Sequence, residues 1–359
     1  MATPSLLRPT MRASSAKEVA KSGATSLPSC YISRNPLSAS AAAEADDKEL
    51  KVELQIPTID FSSLRRGNDG LRAQIVRDLA CACEDWGFFS VVNHGVPAAL
   101  RMAVMDASVG FFDLREEEKA EYEGRHVMDP IRCGTSFNST VEDVRYWRDF
   151  FKVFVHPKFH SPSKPLAFRE VCEDYARHTR QLAKELLKAI WEGLGLEEDY
   201  IEKAIGLHSC FQVVVGNLYP PCPEPELAWG LPAHSDHGLL TILMQNDTDG
   251  LQVMHHGQWV SVKPLPNSFL VNVGDHMEII SNGRYKSVLH RAKVNSKSTR
   301  MSVVTVIGPS LDAVVSPAQM LVDREKCPEA FRGIKYSDYL EYQQGNQLKG
   351  KSALDLLRL

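Results

Sequence analysis

Two histidines and an aspartate stand out by type and spacing: His234 and Asp236 in the run HSDHGLLTIL, and His290 in YKSVLHRA. In extended backbone, residues i and i+2 point to one face, so His234 and Asp236 can grip a single ion while Ser235 turns away. His290, more than fifty residues later, brings a third donor from another strand. Two imidazoles and one carboxylate leave coordination positions open, the arrangement of an oxygen-activating mononuclear iron(II). The same donors also suit zinc with one open position. An HxD pair alone occurs often by chance, and histidines with ordinary local hydrogen bonds are the reading without chemistry.

Arg300, in TRMSV, separates these readings, because zinc hydrolysis has no need of a cation there. By the same alternation Arg300 and Ser302 share one strand face. A guanidinium holds a carboxylate through two parallel charge-assisted hydrogen bonds, and the serine hydroxyl adds a third. Tyr219, in VGNLYPPCP, offers a phenol to that carboxylate or else packs in the core. Pro220, Pro221 and Pro223 end the strand that carries it.

The elements that must position these residues follow from patterning. From Cys210 onward the chain runs in short apolar or alternating segments: FQVVVGNLY, TILMQN, GLQVMHHGQWVSV, SFLVNVG, RYKSVLHRAKV and RMSVVTVIG. Short strands at such spacing predict a sandwich or barrel. Upstream, LRAQIVRDLACACEDW has the three- and four-residue apolar spacing of a helix. GFFSVVNHGV reads as a strand, residues 98–123 as helical, 124–146 as loop-rich, and about Pro165 to Leu194 as an amphipathic helix. RDFFKVFV is a further strand, and the tail from about Lys335 is mainly helical. The expected fold is mixed α and β, with helices around an antiparallel double-stranded sheet core. Its divisions are 1–50 (helix plus linker), 51–200 (helical), 205–312 (metal-bearing sheet) and 313–359 (C-terminal helical segment).

Other histidines read as bystanders. His237 is expected to point away from the ligands or into a turn. His255 and His256 precede Gly257 in a hairpin turn and are expected in solvent. Asp275 and His276 follow Gly274 in what looks like a turn, and His94 in VNHG reads as a structural hydrogen-bonding residue.

Composition narrows the class. The 359 residues are 43% hydrophobic and 24% charged, with net charge −4, an ordinary soluble balance. No long basic run points to nucleic acid or to an anionic membrane surface, and no apolar stretch approaches a spanning length. Eight cysteines without recurring spacing fit a reducing cytosol better than a disulfide framework. The first 43 residues hold five Lys or Arg and only Glu18 as an acid, a composition resembling a plastid transit peptide. SSAKEVAKSG, however, reads as a short serine-capped helix, followed by a loose connector, LSASAAAEADD. A docked helix and a cytoplasmic enzyme are therefore the expectation, with plastid targeting the alternative.

NLYPPCP, HSDHGLLTIL, DGLQV, NVGD, SNGRYKSVLHR and RMS, in that order, resemble the plant soluble 2-oxoglutarate- and iron(II)-dependent dioxygenases. IPTIDFSSL and CEDWGFFSVVNHGV resemble that family's helical N-terminal region, and AKEVAKSGATSLPSCYI its first helix. The likeness spans roughly residues 50–345. It implies a double-stranded β-helix (jelly roll) with iron on His234, Asp236 and His290. It further implies 2-oxoglutarate held at its distal carboxylate by Arg300 and Ser302 with help from Tyr219, and Asn217 close by. Dioxygen would be the oxidant and ascorbate the reductant, and the partner a small molecule bound by a monomer. The family chemistry is hydroxylation coupled to decarboxylation of 2-oxoglutarate to succinate and CO2.

The resemblance draws the substrate pocket from Phe137, Phe150 or Phe151, Phe211, Tyr336 and Tyr339, each of which would equally serve as a core aromatic. A mostly apolar pocket with few polar anchors suits a flavonoid, another phenolic or a terpenoid hormone. The closest texture is that of flavanone 3-hydroxylase-like and downy-mildew-resistance-like oxygenases. Desaturation or hormone oxidation can share the same iron site. A zinc hydrolase and a non-catalytic ligand-binding barrel are the competing classes.

Overall fold

A computed structural model describes residues 15–33, 55–66 and 68–359. The connector LSASAAAEADD and residues 1–14 lie outside them. The first helix, α1 (Ala16–Lys21), is capped by the Ser15 side chain, which accepts from the Glu18 amide. Then come β1 (Thr58–Asp60), α2 (Phe61–Arg66), α3 (Asp69–Asp85), β2 (Phe88–Val92), α4 (Ala98–Phe112), α5 (Glu116–Lys119), β3 (Ile131–Thr135) and β4 (Asp149–His156). Next are the long α6 (Phe168–Gly193), α7 (Glu198–Ile205) and β5 (Phe211–Tyr219). They are followed by β6 (Leu231–His234), β7 (Leu240–Gln245), β8 (Leu251–His255), β9 (Gln258–Ser261), β10 (Phe269–Val273), α8 (Asp275–Ile280), β11 (His290–Ala292) and β12 (Arg300–Gly308). The chain closes with β13 (Val314–Val315), β14 (Ile334–Lys335), α9 (Tyr336–Gly345) and α10 (Ser352–Asp355).

An eight-stranded sheet runs β1-β2-β10-β7-β12-β5-β4-β3, and a four-stranded one runs β6-β11-β8-β9. All pairings in both are antiparallel except β1 with β2. Because β1 to β4 belong to the larger sheet, that sheet draws its strands from both sides of the boundary expected near residues 200–205. The loop-rich reading of 124–146 missed β3, whose sequence IRCGT lacks a strand pattern; its pairing with β4 holds it extended. RYKSVLHRAKV contributes only the three residues of β11.

Both faces of the central strands are buried, for different reasons. On β5, Val214 and Leu218 join the helix-covered core, while Val213, Val215, Asn217 and Tyr219 face a cavity between the sheets. On β12, Met301, Val303 and Ile307 point to the core, and Arg300, Ser302, Val304 and Val306 to the cavity. The same period of two governs β4: Phe151, Val153 and Val155 are core, whereas Phe150 and Lys152 line the cavity with Arg148 just before the strand.

Helix α6 closes the core side, burying Leu182, Leu186, Leu187, Ile190 and Trp191 at three- and four-residue intervals. Phe151 sits among Phe111, Phe112 and Phe168, with ring centroids 5.0, 5.5 and 5.2 Å away. Gly216 is its cross-strand partner, and a Cβ there would lie 2.1 Å from the Phe151 ring. Phe151 is thus a core residue and not a substrate contact. Phe151→Ala is expected to lower stability by about 3–5 kcal/mol, the usual cost of emptying an aromatic site, measured by denaturant unfolding.

Candidate functional site

Register brings the three metal-type donors together. His290 on β11 is the direct partner of His234 at the end of β6. Asp236, two residues past β6, is clamped by its own backbone, its carbonyl accepting from the Asp275 amide at 2.7 Å. Gly274 permits this approach, since a Cβ there would lie 2.2 Å from the Gly238 carbonyl oxygen. The Asp236 carboxylate is 3.9 Å from His234 Nε2 and 3.8 Å from His290 Nε2. All three ligand atoms lie within 4.8 Å of one another.

Each imidazole has its metal-facing nitrogen selected by the other one. His234 Nδ1 is 2.8 Å from the Pro232 carbonyl and His290 Nδ1 is 3.3 Å from that of Val288, so each donates there and leaves Nε2 a lone pair. Burial, reinforced by His290, pushes His234 down to about 3 and keeps it neutral. Burial alone would raise Asp236, but the imidazoles of His290 and His234 and a hydrogen bond from Asn272 bring it to about 2. Asn272 Nδ2 donates to Asp236 Oδ2 at 2.8 Å. Asn272→Ala is expected to weaken iron binding about 10–100-fold, the usual effect of removing a group that orients a ligand; competition with a chelator of known affinity measures it.

The second half of the site comes from β5, β12 and β7. Arg300 faces Tyr219, and Ser302 lies between Asn217 and Gln245. Arg300 is only 1% exposed, and its guanidinium lies 5.1 Å from the Tyr219 ring centroid. One nitrogen donates to Gln245 Oε1 at 2.7 Å, while buried Nε meets no acceptor. A buried guanidinium with a vacant donor beside a serine hydroxyl fits the distal carboxylate of a keto acid. Gly250 makes room, because a Cβ there would sit 2.9 Å from Arg300 Cδ. Asn217 is tied to both sides, donating to Ser302 Oγ at 3.1 Å and accepting from Arg148 Nε at 2.7 Å.

The triad, Arg300, Ser302, Asn217 and Tyr219 all line one cavity enclosing about 1070 Å³ of empty space, the open solvent at its mouth included. Phe137 and Phe150 line it too; Phe211, Tyr336 and Tyr339 do not. Phe211 packs edge-on against Phe154 with centroids 4.7 Å apart. Tyr336 spends its hydroxyl on His237 Nδ1 at 2.8 Å, and Tyr339 donates to Asp275 at 2.6 Å. These three are supports behind the wall: Phe211 stands at the start of β5, and helix α9 brings Tyr336 and Tyr339 against the sheet.

Several bystanders are placed differently from expectation. His237 is buried and lines the cavity. Asp275 and His276 open helix α8 and are fully buried; burial raises Asp275 to about 6 against its bond from Tyr339. His255 is stacked on Trp86 at 3.7 Å and buried, whereas His256 is exposed as its turn predicts. His94 accepts from the Val96 amide at 3.1 Å, a structural role. Asp85, His255 and His256 also lie within reach of one ion, but none of them lines the cavity of the triad. Arg132, Arg148, Lys152, Gln343 and Gln344, which their residue types alone do not mark as site residues, also stand on the cavity wall. Period-two reading from Phe150 would have found Arg148 and Lys152; the others depend on tertiary packing.

This sandwich with a two-histidine, one-carboxylate centre and a buried arginine defines a non-haem oxygenase class, and sequence relationships agree. The 2OG-Fe(II) oxygenase superfamily profile matches residues 209–309, and that of the N-terminal region of the non-haem dioxygenase in morphine synthesis matches 56–173. The chain is 52% identical over 321 residues to 2-oxoglutarate-dependent dioxygenase 19 of Oryza sativa subsp. japonica, covering 89% of this chain and 95% of that one. Flavanone 3-dioxygenase 2 of the same organism is 39% identical over 311 residues, covering 85% and 88%. The crystal structure of JOX2 in complex with 2OG, Fe and JA superposes with a TM-score of 0.83 at 32% identity, covering 96% of this chain and 98% of that one. The chain belongs to the 2-oxoglutarate- and iron(II)-dependent oxygenases. Its fold is their double-stranded β-helix, and its cofactors are Fe(II), 2-oxoglutarate and O2, with ascorbate the usual reductant. None of the described helices is long and apolar enough to cross a membrane.

Proposed function

We propose that this enzyme hydroxylates a small aromatic plant metabolite, a flavonoid or another phenolic, using iron on His234, Asp236 and His290. The observation that carries the site assignment is the vacant Nε of buried Arg300 in the same cavity as the three converging donors. Bound iron supplies oxygen activation. The protein supplies geometry: Arg300 and Ser302 anchor the far carboxylate of 2-oxoglutarate, and Asn217 keeps the serine oriented. Phe88, Leu243, Leu251, Leu270 and Val304 exclude water around the centre. Phe150 offers a ring face for an aromatic substrate. One oxygen atom of O2 enters the substrate C–H bond as hydroxyl, and the other enters succinate as CO2 leaves.

The similarity to a flavanone 3-dioxygenase supports the aromatic substrate class. Eight free cysteines support a reducing cytoplasm, where the enzyme acts as a monomer on small molecules rather than on nucleic acid or membranes. The test is succinate release with candidate substrates under isotopically labelled dioxygen. A product heavier by one labelled oxygen is expected; loss of two hydrogens instead would mean desaturation, and no substrate-stimulated succinate would overturn the reading.

A further inference from the structure

The substrate side of the cavity carries charge that the oxygenase reaction does not use. Lys152 on β4 and Arg132 on β3 are direct cross-strand partners, and both line the cavity wall. Like charges placed opposite one another in an antiparallel pair repel, and here one of them is 7% exposed. Lys152 Nζ donates to the Val127 carbonyl at 3.0 Å and lies 3.4 Å from Gln344 Oε1, both neutral acceptors. Arg132 Nε is buried with no acceptor. Among the described residues, no carboxylate forms an ion pair with either cation. The acid acting on both is Asp129, which is half-buried and whose Oδ2 accepts from the amides of Arg125 and His126. Arg148 is a separate matter: its Nε is committed to Asn217, its guanidinium stacks 4.9 Å from the Phe150 ring, and Glu142 and Asp149 lie in its field.

The cosubstrate does not resolve this excess. An iron(II) ion, the Asp236 carboxylate, the 2-oxoglutarate dianion and Arg300 sum to zero charge, leaving Lys152 and Arg132 with Asp129 alone against them and one positive charge in excess. Burial, then Arg132 and Arg148, push Lys152 down to about 7. Two adjacent cations, one buried and one half-buried, are stabilised by an anion that accepts from both. We infer that the substrate carries an ionised acidic group, a carboxylate in the first instance, received between Lys152 and Arg132 while its ring lies toward Phe150. Resting on the oxygenase reading above, this shifts the choice within small aromatic metabolites from neutral flavanones to aromatic acids. Gln344 on α9 and Phe137 complete the polar and apolar sides of that subsite.

The test is calorimetric titration of the full-length protein, loaded with Fe(II) and 2-oxoglutarate under anaerobic conditions. The ligands are benzoate, cinnamate and indole-3-acetate, each beside its own carboxamide. At least one acid is expected to bind about tenfold or more tighter than its amide, as for a charge-assisted pair in a buried site. That preference is expected to fall to near unity in Lys152→Met and in Arg132→Met, and to persist in Lys152→Arg, which separates loss of charge from misfolding. Equal binding of acid and amide, no measurable binding of any acid, or an unchanged preference in Lys152→Met would overturn the inference. Failure of the oxygenase reading itself shows separately, as absence of the visible iron–2-oxoglutarate absorption band before any ligand is added.

Discussion

Asp236→Ala is expected to abolish turnover and to lower iron affinity by more than about 100-fold. Removing a group that merely orients a ligand costs about 10–100-fold in metal affinity, and Asp236 is itself the only carboxylate of the donor set. The two neutral imidazoles that remain supply no charge to offset the ion. The fold should survive. The main local penalty is the Asn272 amide left without its carboxylate acceptor, about 1–3 kcal/mol. Iron content after chelator challenge, read with circular dichroism and succinate release, checks this. A variant that retained stoichiometric iron would remove Asp236 from the ligand set.

Arg300→Ala is expected to raise the 2-oxoglutarate requirement while leaving iron in place. Truncating one partner of a buried charge pair costs about 2–5 kcal/mol, which at about 1.4 kcal/mol per tenfold is roughly 30- to 4000-fold. Because Arg300 already gives one donor to Gln245, its vacant Nε and remaining donors are what the carboxylate would engage. Arg300→Lys keeps the charge but loses the planar fork, so it should fall between alanine and wild type. Pyruvate, which lacks the distal carboxylate, provides the internal control. If its weak turnover fell as steeply as that of 2-oxoglutarate, Arg300 would be acting on the iron centre rather than as the anchor.

The two aromatic neighbours Phe150 and Phe151 show how far local pattern reaches. Both are plausible wall residues in RDFFKVFV, and alternation requires that only one face the cavity. Which one is decided by β4 pairing with β5, where Phe151 falls opposite Gly216 and turns into the helical core. Likewise, Arg132 lay in a stretch without a strand pattern, and its position opposite Lys152 exists only through the β3–β4 register. His255 and Asp275 sit in sequence contexts of turns, yet Trp86 covers the first and helix α9 seals the second.

The proposed centre is legible in residue types and spacing alone: the donors at 234 and 236, the third at 290, and the Arg300 and Ser302 pair. Donor type and an i, i+2 spacing are local properties, and an extended chain converts them directly into a shared face. What surrounds that centre depends on the folded chain. Strand register and helix packing are set by hydrogen bonds and apolar contacts between distant segments, and they brought two like charges face to face on the cavity wall and put Tyr336 and Tyr339 behind it.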